Sequence, residues 1–216
     1  MELGYEKDNL TKQPYDYYFK CYQEMNPYMI SERLHLPYSE GEKCFHIRFL
    51  GESYKVTYPD FEVIHETEEN GIYLLEEYIQ AKILLLRYLV DGVGMISTGT
   101  LLSYHDLPWG EVYYRQFYGR CILRLAKTYG NQLHKFTAIM QGMQGCEKKY
   151  GDAAYEFELL NGLNLCFILW EGDEEFAPSA QILFSDNFPA AFSAEDVAYV
   201  GDIVIEYMKQ YGRKKL

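Results

Sequence analysis

The run Leu165-Cys166-Phe167-Ile168-Leu169-Trp170-Glu171-Gly172-Asp173-Glu174-Glu175-Phe176 ends an apolar, strand-like segment in four carboxylates held between two aromatic residues. The turns that follow strands are where a rigid scaffold presents polar groups. Glu171, Asp173, Glu174 and Glu175 are therefore candidates for holding a cation, a basic partner or an amine. The spacing does not reproduce a calcium loop, and no histidine follows at i+3 or i+4, so no metal is assigned. A solvated or structural turn is the competing reading. In the structural case Trp170 and Phe176 should clamp the turn against the core. At least one of Asp173, Glu174 and Glu175 should then accept backbone N–H groups or pair with an arginine such as Arg87 or Arg120, because a buried carboxylate without partners costs several kcal/mol.

A second group lies in Ser103-Tyr104-His105-Asp106-Leu107-Pro108-Trp109-Gly110. His105 and Asp106 are the residue types of an acid–base pair, with Ser103 or Cys121 as nucleophile. No G-x-S-x-G elbow accompanies them, and neighbouring residues seldom face each other, so Asp106 reads better as a turn cap. Asp152, after Gly151, forms a third carboxylate-bearing turn. Asp106, Trp109, Asp152, Trp170, Glu171, Asp173, Glu174 and Glu175 are the candidate ligand-binding residues, expected to border one pocket for a small molecule or a partner segment. The expected function is that of a binding or accessory domain. The alternative is a metal-dependent hydrolase or lyase in which the same carboxylates hold an ion that activates water. His35, His46, His65 and His134 stand singly and read as surface residues, while Gly92-Val93-Gly94 follows a helix instead of a strand, so no nucleotide signature and no cofactor are expected.

The balance of 20 Lys+Arg against 32 Asp+Glu leaves a net charge of −12, which argues against binding nucleic acid through its phosphates. Five scattered cysteines, odd in number and with no C-x-x-C pair, indicate neither a zinc site nor a disulfide framework and suggest free thiols. No apolar run reaches the roughly 20 residues of a membrane span and the first residues do not resemble a signal peptide, so a soluble, cytoplasmic protein without membrane association is expected. The 22 tyrosines should sit half-buried with wet hydroxyls.

The elements that must position these residues form one α+β domain over residues 15–212, after an extension at 1–14 and before a basic tail at 213–216. About five mainly antiparallel strands are expected, covered by helices. A helix over 15–25 stops at Asn26-Pro27, and a short helical piece surrounds 31–33. Alternation predicts a hairpin turning at Gly51-Glu52, pairing Phe49 with Tyr54, Ile47 with Val56 and Phe45 with Tyr58. Helical periodicity predicts a central helix over 71–90, another over 111–128 and a short one over 133–143. Strands follow over 155–159, 163–170 and 180–184, the first two joined at Asn161-Gly162. Ser193-Ala194-Glu195-Asp196 opens a last helix, expected to stop at Gly212.

Taken in order, Leu84-Leu85-Leu86-Arg87-Tyr88-Leu89, the Asp106-Leu107-Pro108 segment, Gly151-Asp152-Ala153-Ala154-Tyr155, Trp170-Glu171-Gly172-Asp173-Glu174-Glu175-Phe176 and Gln181-Ile182-Leu183-Phe184 resemble the bacterial and archaeal family described as domain of unknown function 3786. The resemblance spans about residues 15–210 and rests mainly on the W-E-G-D-E-E-F stretch. It implies no catalytic residue. Some relatives bear a cysteine-rich segment similar to iron–sulfur modules of corrinoid proteins. This chain lacks that segment, so the resemblance implies no cluster here. The family pattern has prolines between the last two long strands where this chain has Asn161-Gly162-Leu163-Asn164.

Overall fold

The computed structural model describes residues 11–66 and 71–216. Helix α1 (Lys12–Glu24) ends as expected ahead of Pro27, with Met25 extended, and α2 (Pro27–Leu34) starts on that proline, capped by the Asn26 side chain, which accepts the Tyr28 N–H at 2.9 Å. Strand β1 (Tyr38–Ser39) leads into β2 (Cys44–Phe49), β3 (Glu52–Thr57) and β4 (Val63–His65). The β2–β3 hairpin forms, but in a different register. Phe49 pairs with Glu52, Ile47 with Tyr54 and Phe45 with Val56. The loop is Leu50-Gly51, with φ of 50° and 84°, and two consecutive positive values favour the type I′ turn. Leucine is a poor residue for that conformation. Leu50 tolerates it because its side chain is buried and its N–H donates to the Leu159 carbonyl at 2.9 Å.

The expected central helix is two helices, α3 (Leu74–Glu77) and α4 (Ile79–Asp91), broken where Tyr78 turns extended at φ −108° and ψ 109°. Glu76 of α3 accepts the His65 N–H at 2.7 Å and pairs with its Nδ1 at 2.7 Å. The short helix is thus tied to β4 while α4 packs independently in the core. After β5 (Leu101–Leu102) and a 3-10 turn at Tyr104–Asp106, α5 (Gly110–Phe117) runs through a π-helical segment, Tyr118–Ile122, into α6 (Leu123–Tyr129), and α7 (Leu133–Gly142) follows. Strands β6 (Cys146–Glu147), β7 (Ala153–Leu160), β8 (Leu163–Trp170) and β9 (Ser179–Ser185) precede α8 (Phe188–Ala191) and α9 (Ala194–Lys214). Helix α9 does not stop at Gly212 but continues to Lys214. Gly212 is not among the residues at positive φ, so it supplies no left-handed cap.

The strands make one antiparallel sheet in the order β4-β3-β2-β7-β8-β9-β5, with β1 added on β2 and β6 on β7. The α+β class is as expected, but nine strands replace five among the described residues. The additional ones, β1, β4, β5 and β6, are two or three residues long, too short to show a period. Along β8, Leu165, Phe167 and Leu169 face the main core under the helices, and Cys166 and Ile168 join a small cluster with Ala154 on the opposite face. Burial on both faces explains why β8 reads as a continuous apolar run. Complete burial of Phe167 alone contributes about 1.5–3 kcal/mol.

Helix α9 packs on the π-helical segment through a close approach. A Cβ on Gly201 would lie 2.7 Å from the Cys121 Cβ and 2.8 Å from its Sγ, and that thiol donates to the Ala198 carbonyl at 3.2 Å. Burial pushes the Cys121 pKa up to about 12, so this cysteine packs as a small apolar residue and not as a nucleophile. Gly201→Ala is expected to destabilise the fold by about 1–3 kcal/mol through overpacking, and Cys121→Ala, tested in the Gly201→Ala background by urea denaturation, should restore a large part of the loss.

Candidate functional site

The acidic turn joins β8 to β9, closing just beyond the Trp170–Ser179 pair. Gly151, at φ 55°, brings the chain so close to β8 that a Cβ there would lie 2.6 Å from the Leu169 carbonyl oxygen. The next residue, Asp152, accepts the Glu171 N–H at 2.8 Å. Asp173 folds the turn on itself. Its Oδ1 accepts the Phe176 N–H at 2.7 Å and the Glu175 N–H at 2.8 Å, and its own N–H donates to the Phe176 carbonyl at 2.9 Å. These bonds hold the Asp173 carboxyl below its ordinary range. The expected backbone partners are therefore present, but the expected aromatic clamp is not. Phe176 is 70% exposed and Trp170 36% exposed. Nor do the arginines reach the turn: Arg87 pairs with Asp196, and Arg120 lies over the Tyr199 ring at 4.5 Å. Among the described residues, Asn131 is the one from outside the loop that lines the depression formed with residues 171–178.

Asp106 and Trp109 occupy a different part of the surface. Their turn follows β5, which pairs with the C-terminal end of β9, Leu101 with Ser185 and Leu102 with Phe184, whereas the acidic turn precedes the other end of β9. The structure thus ties Asp152 to Glu171 at the base of the acidic turn, and Asp106 caps the segment that carries Trp109, without joining the two groups. Asp106 is a cap: its carboxylate accepts the Ser103 hydroxyl at 2.7 Å and N–H at 2.8 Å, which lowers its pKa. His105 adds only a weak charge effect on that carboxylate, its ring lying tilted against Tyr114 at 3.9 Å and its Nδ1 3.8 Å from Glu111.

The turn exists to place two rings. Tyr104 is buried, stacks on Phe117 at 4.1 Å and donates its hydroxyl to the Ala194 carbonyl at 2.5 Å. Gly110 passes so near that a Cβ would fall 2.0 Å from the Tyr104 carbonyl oxygen. Between them Trp109 is held at φ 64° and left 77% exposed beside the exposed Val112. A bulky residue in the left-handed region costs energy, and such strain clusters where a side chain has to be presented. Trp109, Pro108, Val112, Phe192, Pro189 and Glu195 are among the residues lining a groove of about 500 Å³ between this turn and the start of α9.

Behind that groove lies a pair that no sequence spacing announces. The Arg87 guanidinium sits 2.6 Å from Asp196 Oδ1, with the Asp196 side chain only 7% exposed. The other carboxylate oxygen accepts the Ser193 hydroxyl at 2.6 Å and N–H at 3.0 Å, completing the expected capping box of α9. Tyr18 of α1 covers the guanidinium at 5.1 Å. Burial raises the Asp196 pKa, and Arg87 and Ser193 oppose that shift. Arg87 Nε and Gln80 Oε1 are buried without a hydrogen-bond partner among the described residues, and both side chains line a small cleft with Glu195, Asp196 and Tyr199.

A family model described as Domain of unknown function (DUF3786) matches residues 26–207. No curated protein matches the chain, and no solved structure matches it.

Asp173→Asn keeps an oxygen for both N–H groups but loses the charge and should lower the melting temperature slightly, whereas Asp173→Ala removes the acceptor and should lower it further. By NMR, Asp106 and Asp173 should titrate below the ordinary carboxylate value of about 3.9. With folded pKa values lowered, their stabilisation is complete above that value and is lost as pH falls through the folded midpoints. Arg87→Met should cost about 3 kcal/mol by stranding a buried carboxylate. The Asp196 pKa, already raised, would rise further, so the loss read from urea denaturation should be larger near neutral pH than at about pH 4.

Proposed function

We propose a binding function for this chain, which belongs to the Domain of unknown function (DUF3786) family. On this reading it is a cytoplasmic accessory domain whose site is the groove between the Trp109 turn and the start of α9. The observation that carries the proposal is Trp109 itself, presented to solvent from a strained backbone position by a turn that Asp106, Tyr104 and Gly110 lock in place. Aromatic and aliphatic residues in a concave site with few polar groups suit an apolar ligand group. Glu111 and Glu195, together with the net charge of −12, favour an occupant that also carries positive charge. A cation can stack on the indole face for roughly 0.5–2 kcal/mol. The same charge counts against nucleic acid as the partner. Among the described residues no helix is long and apolar enough to cross a membrane.

Asp152, Trp170, Glu171, Asp173, Glu174 and Glu175 are a separate, secondary group in this reading. The metal-dependent hydrolase or lyase reading depends on their carboxylates being available, and Asp173 Oδ1 already receives two backbone N–H groups.

The test is a thermal-shift screen of cationic amphiphilic small molecules and short basic peptides, followed by titrations monitored by Trp109 fluorescence in a Trp170→Phe background. Ligands that stabilise the protein should quench or shift Trp109 emission and, by calorimetric titration, bind at least tenfold more weakly to Trp109→Ala and Val112→Asp. Binding that survives both substitutions but is lost in Glu174→Gln/Glu175→Gln would move the site to the acidic turn. A thermal shift given by a divalent ion and abolished by that same double substitution would instead support the metal-dependent reading.

A further inference from the structure

A separate constellation gathers on the outer face of the β2–β3 hairpin. Side chains along a strand alternate between faces, so with Phe45 and Ile47 in the core, Cys44 and His46 project together on the other side. The turn before β2 brings in a third donor. Lys43 adopts a left-handed conformation at φ 50°, the Glu42 N–H donates to Ser39 Oγ at 3.3 Å, and Glu42 Oε2 reaches to 3.7 Å from Cys44 Sγ. One donor atom each from Glu42, Cys44 and His46 lie within 4.8 Å of one another. Two further groups border them. Just past β4, Glu66 places Oε2 3.3 Å from His46 Nδ1. Lys55, opposite His46 on β3, places its ammonium 2.5 Å from Glu42 Oε2 and 3.8 Å from Glu66 Oε1.

Metal–ligand bonds of 2.0–2.3 Å in a tetrahedron require donor atoms about 3.5 Å apart, so small side-chain adjustments bring these three onto one ion. Their chemistry selects the ion. A thiolate, an imidazole and a carboxylate suit a borderline cation such as Zn²⁺, whereas Ca²⁺ and Mg²⁺ prefer oxygen alone. A carboxylate behind the imidazole is the usual device for orienting a ligating histidine, and Glu66 stands in that position.

We propose that Glu42, Cys44 and His46 form a binding site for Zn²⁺ or a chemically similar divalent cation, with Glu66 orienting the imidazole and Lys55 acting as the competing cation. The ion replaces the ammonium beside Glu42 and displaces the proton of the Cys44 thiol. Bound there, it ties the turn preceding β2 to the strand itself. Metal binding at this point is independent of the Trp109 groove.

The experiment uses the full chain with Cys146, the exposed cysteine among those described, replaced by serine, and Co²⁺ as a spectroscopic stand-in for Zn²⁺. One equivalent of Co²⁺ should produce the near-ultraviolet charge-transfer absorption of a cobalt–thiolate bond, and Zn²⁺ should displace it. Cys44→Ser should abolish that absorption, His46→Gln should weaken binding at least tenfold, and Lys55→Met should tighten it. Affinity should be at least tenfold weaker at about pH 6 than at about pH 8, since the thiol proton must leave. Circular dichroism of each variant without metal confirms that the fold is retained. The proposal is overturned if the parent protein shows no charge-transfer band, if the band survives Cys44→Ser, or if His46→Gln binds as the parent does. Unchanged affinity in Lys55→Met overturns the role given to that lysine.

Discussion

A carboxylate cannot stay ionised away from water unless other groups replace its hydration, and Asp196 meets that requirement from several sides. Left alone, it would cost several kcal/mol. The Arg87 guanidinium takes one oxygen, the Ser193 N–H and hydroxyl take the other, and the first turn of α9 adds the positive end of its dipole. Each partner belongs to an element that is thereby fixed. Arg87 comes from α4 and is covered by Tyr18 of α1, while Arg33 of α2 donates to the Leu89 and Val90 carbonyls near the end of α4 at 2.5 and 2.7 Å. Four helices therefore meet around one buried pair and the carbonyls beside it.

The groove inherits its shape from this arrangement. Asp196 fixes the first turn of α9, and the Ala194 carbonyl in that turn accepts the Tyr104 hydroxyl. Tyr104, stacked on Phe117, leaves room only for a glycine at 110, and the close passage of Gly110 turns Trp109 outward. Seen this way, the exposed indole is the far end of a line of contacts that starts at a buried carboxylate. The acidic turn lies off this line. It is closed by its own backbone and by Asp152, and contributes a charged surface at the opposite end of β9.

What could be read from the sequence was whatever depends on neighbours along the chain. The Asn26-Pro27 stop, the Ser193 capping box and Asp106 as a turn cap are all local, and all are present. The β2–β3 register shows the limit of a periodic pattern: a slip of two residues returns Phe45, Ile47, Tyr54 and Val56 to the same face, so alternation cannot separate the two pairings. What decides is the burial of Leu50, a tertiary property. The break at Tyr78 was hidden because apolar spacing continues across it, whereas the Glu76–His65 contact that holds α3 comes from another strand. Arg87 and Asp196 are more than a hundred residues apart, and neither carries a local signal of the other. Cys44 was read as a free thiol and His46 as a single surface histidine, although two residues apart on a strand they share one face. Glu42 and Glu66 join them only through the turn before β2 and the end of β4.

The buried Arg87–Asp196 pair holds the groove together. It is tested most directly by amide hydrogen exchange, comparing the native protein with Arg87→Met under conditions where both remain folded. Faster exchange is expected in the first turn of α9 and, together with it, in the 104–110 turn, while β7, β8 and the hairpin β2–β3 keep their protection. Unchanged exchange in residues 104–110 alongside a loosened α9 would contradict it, because Trp109 would then be positioned without any help from the pair.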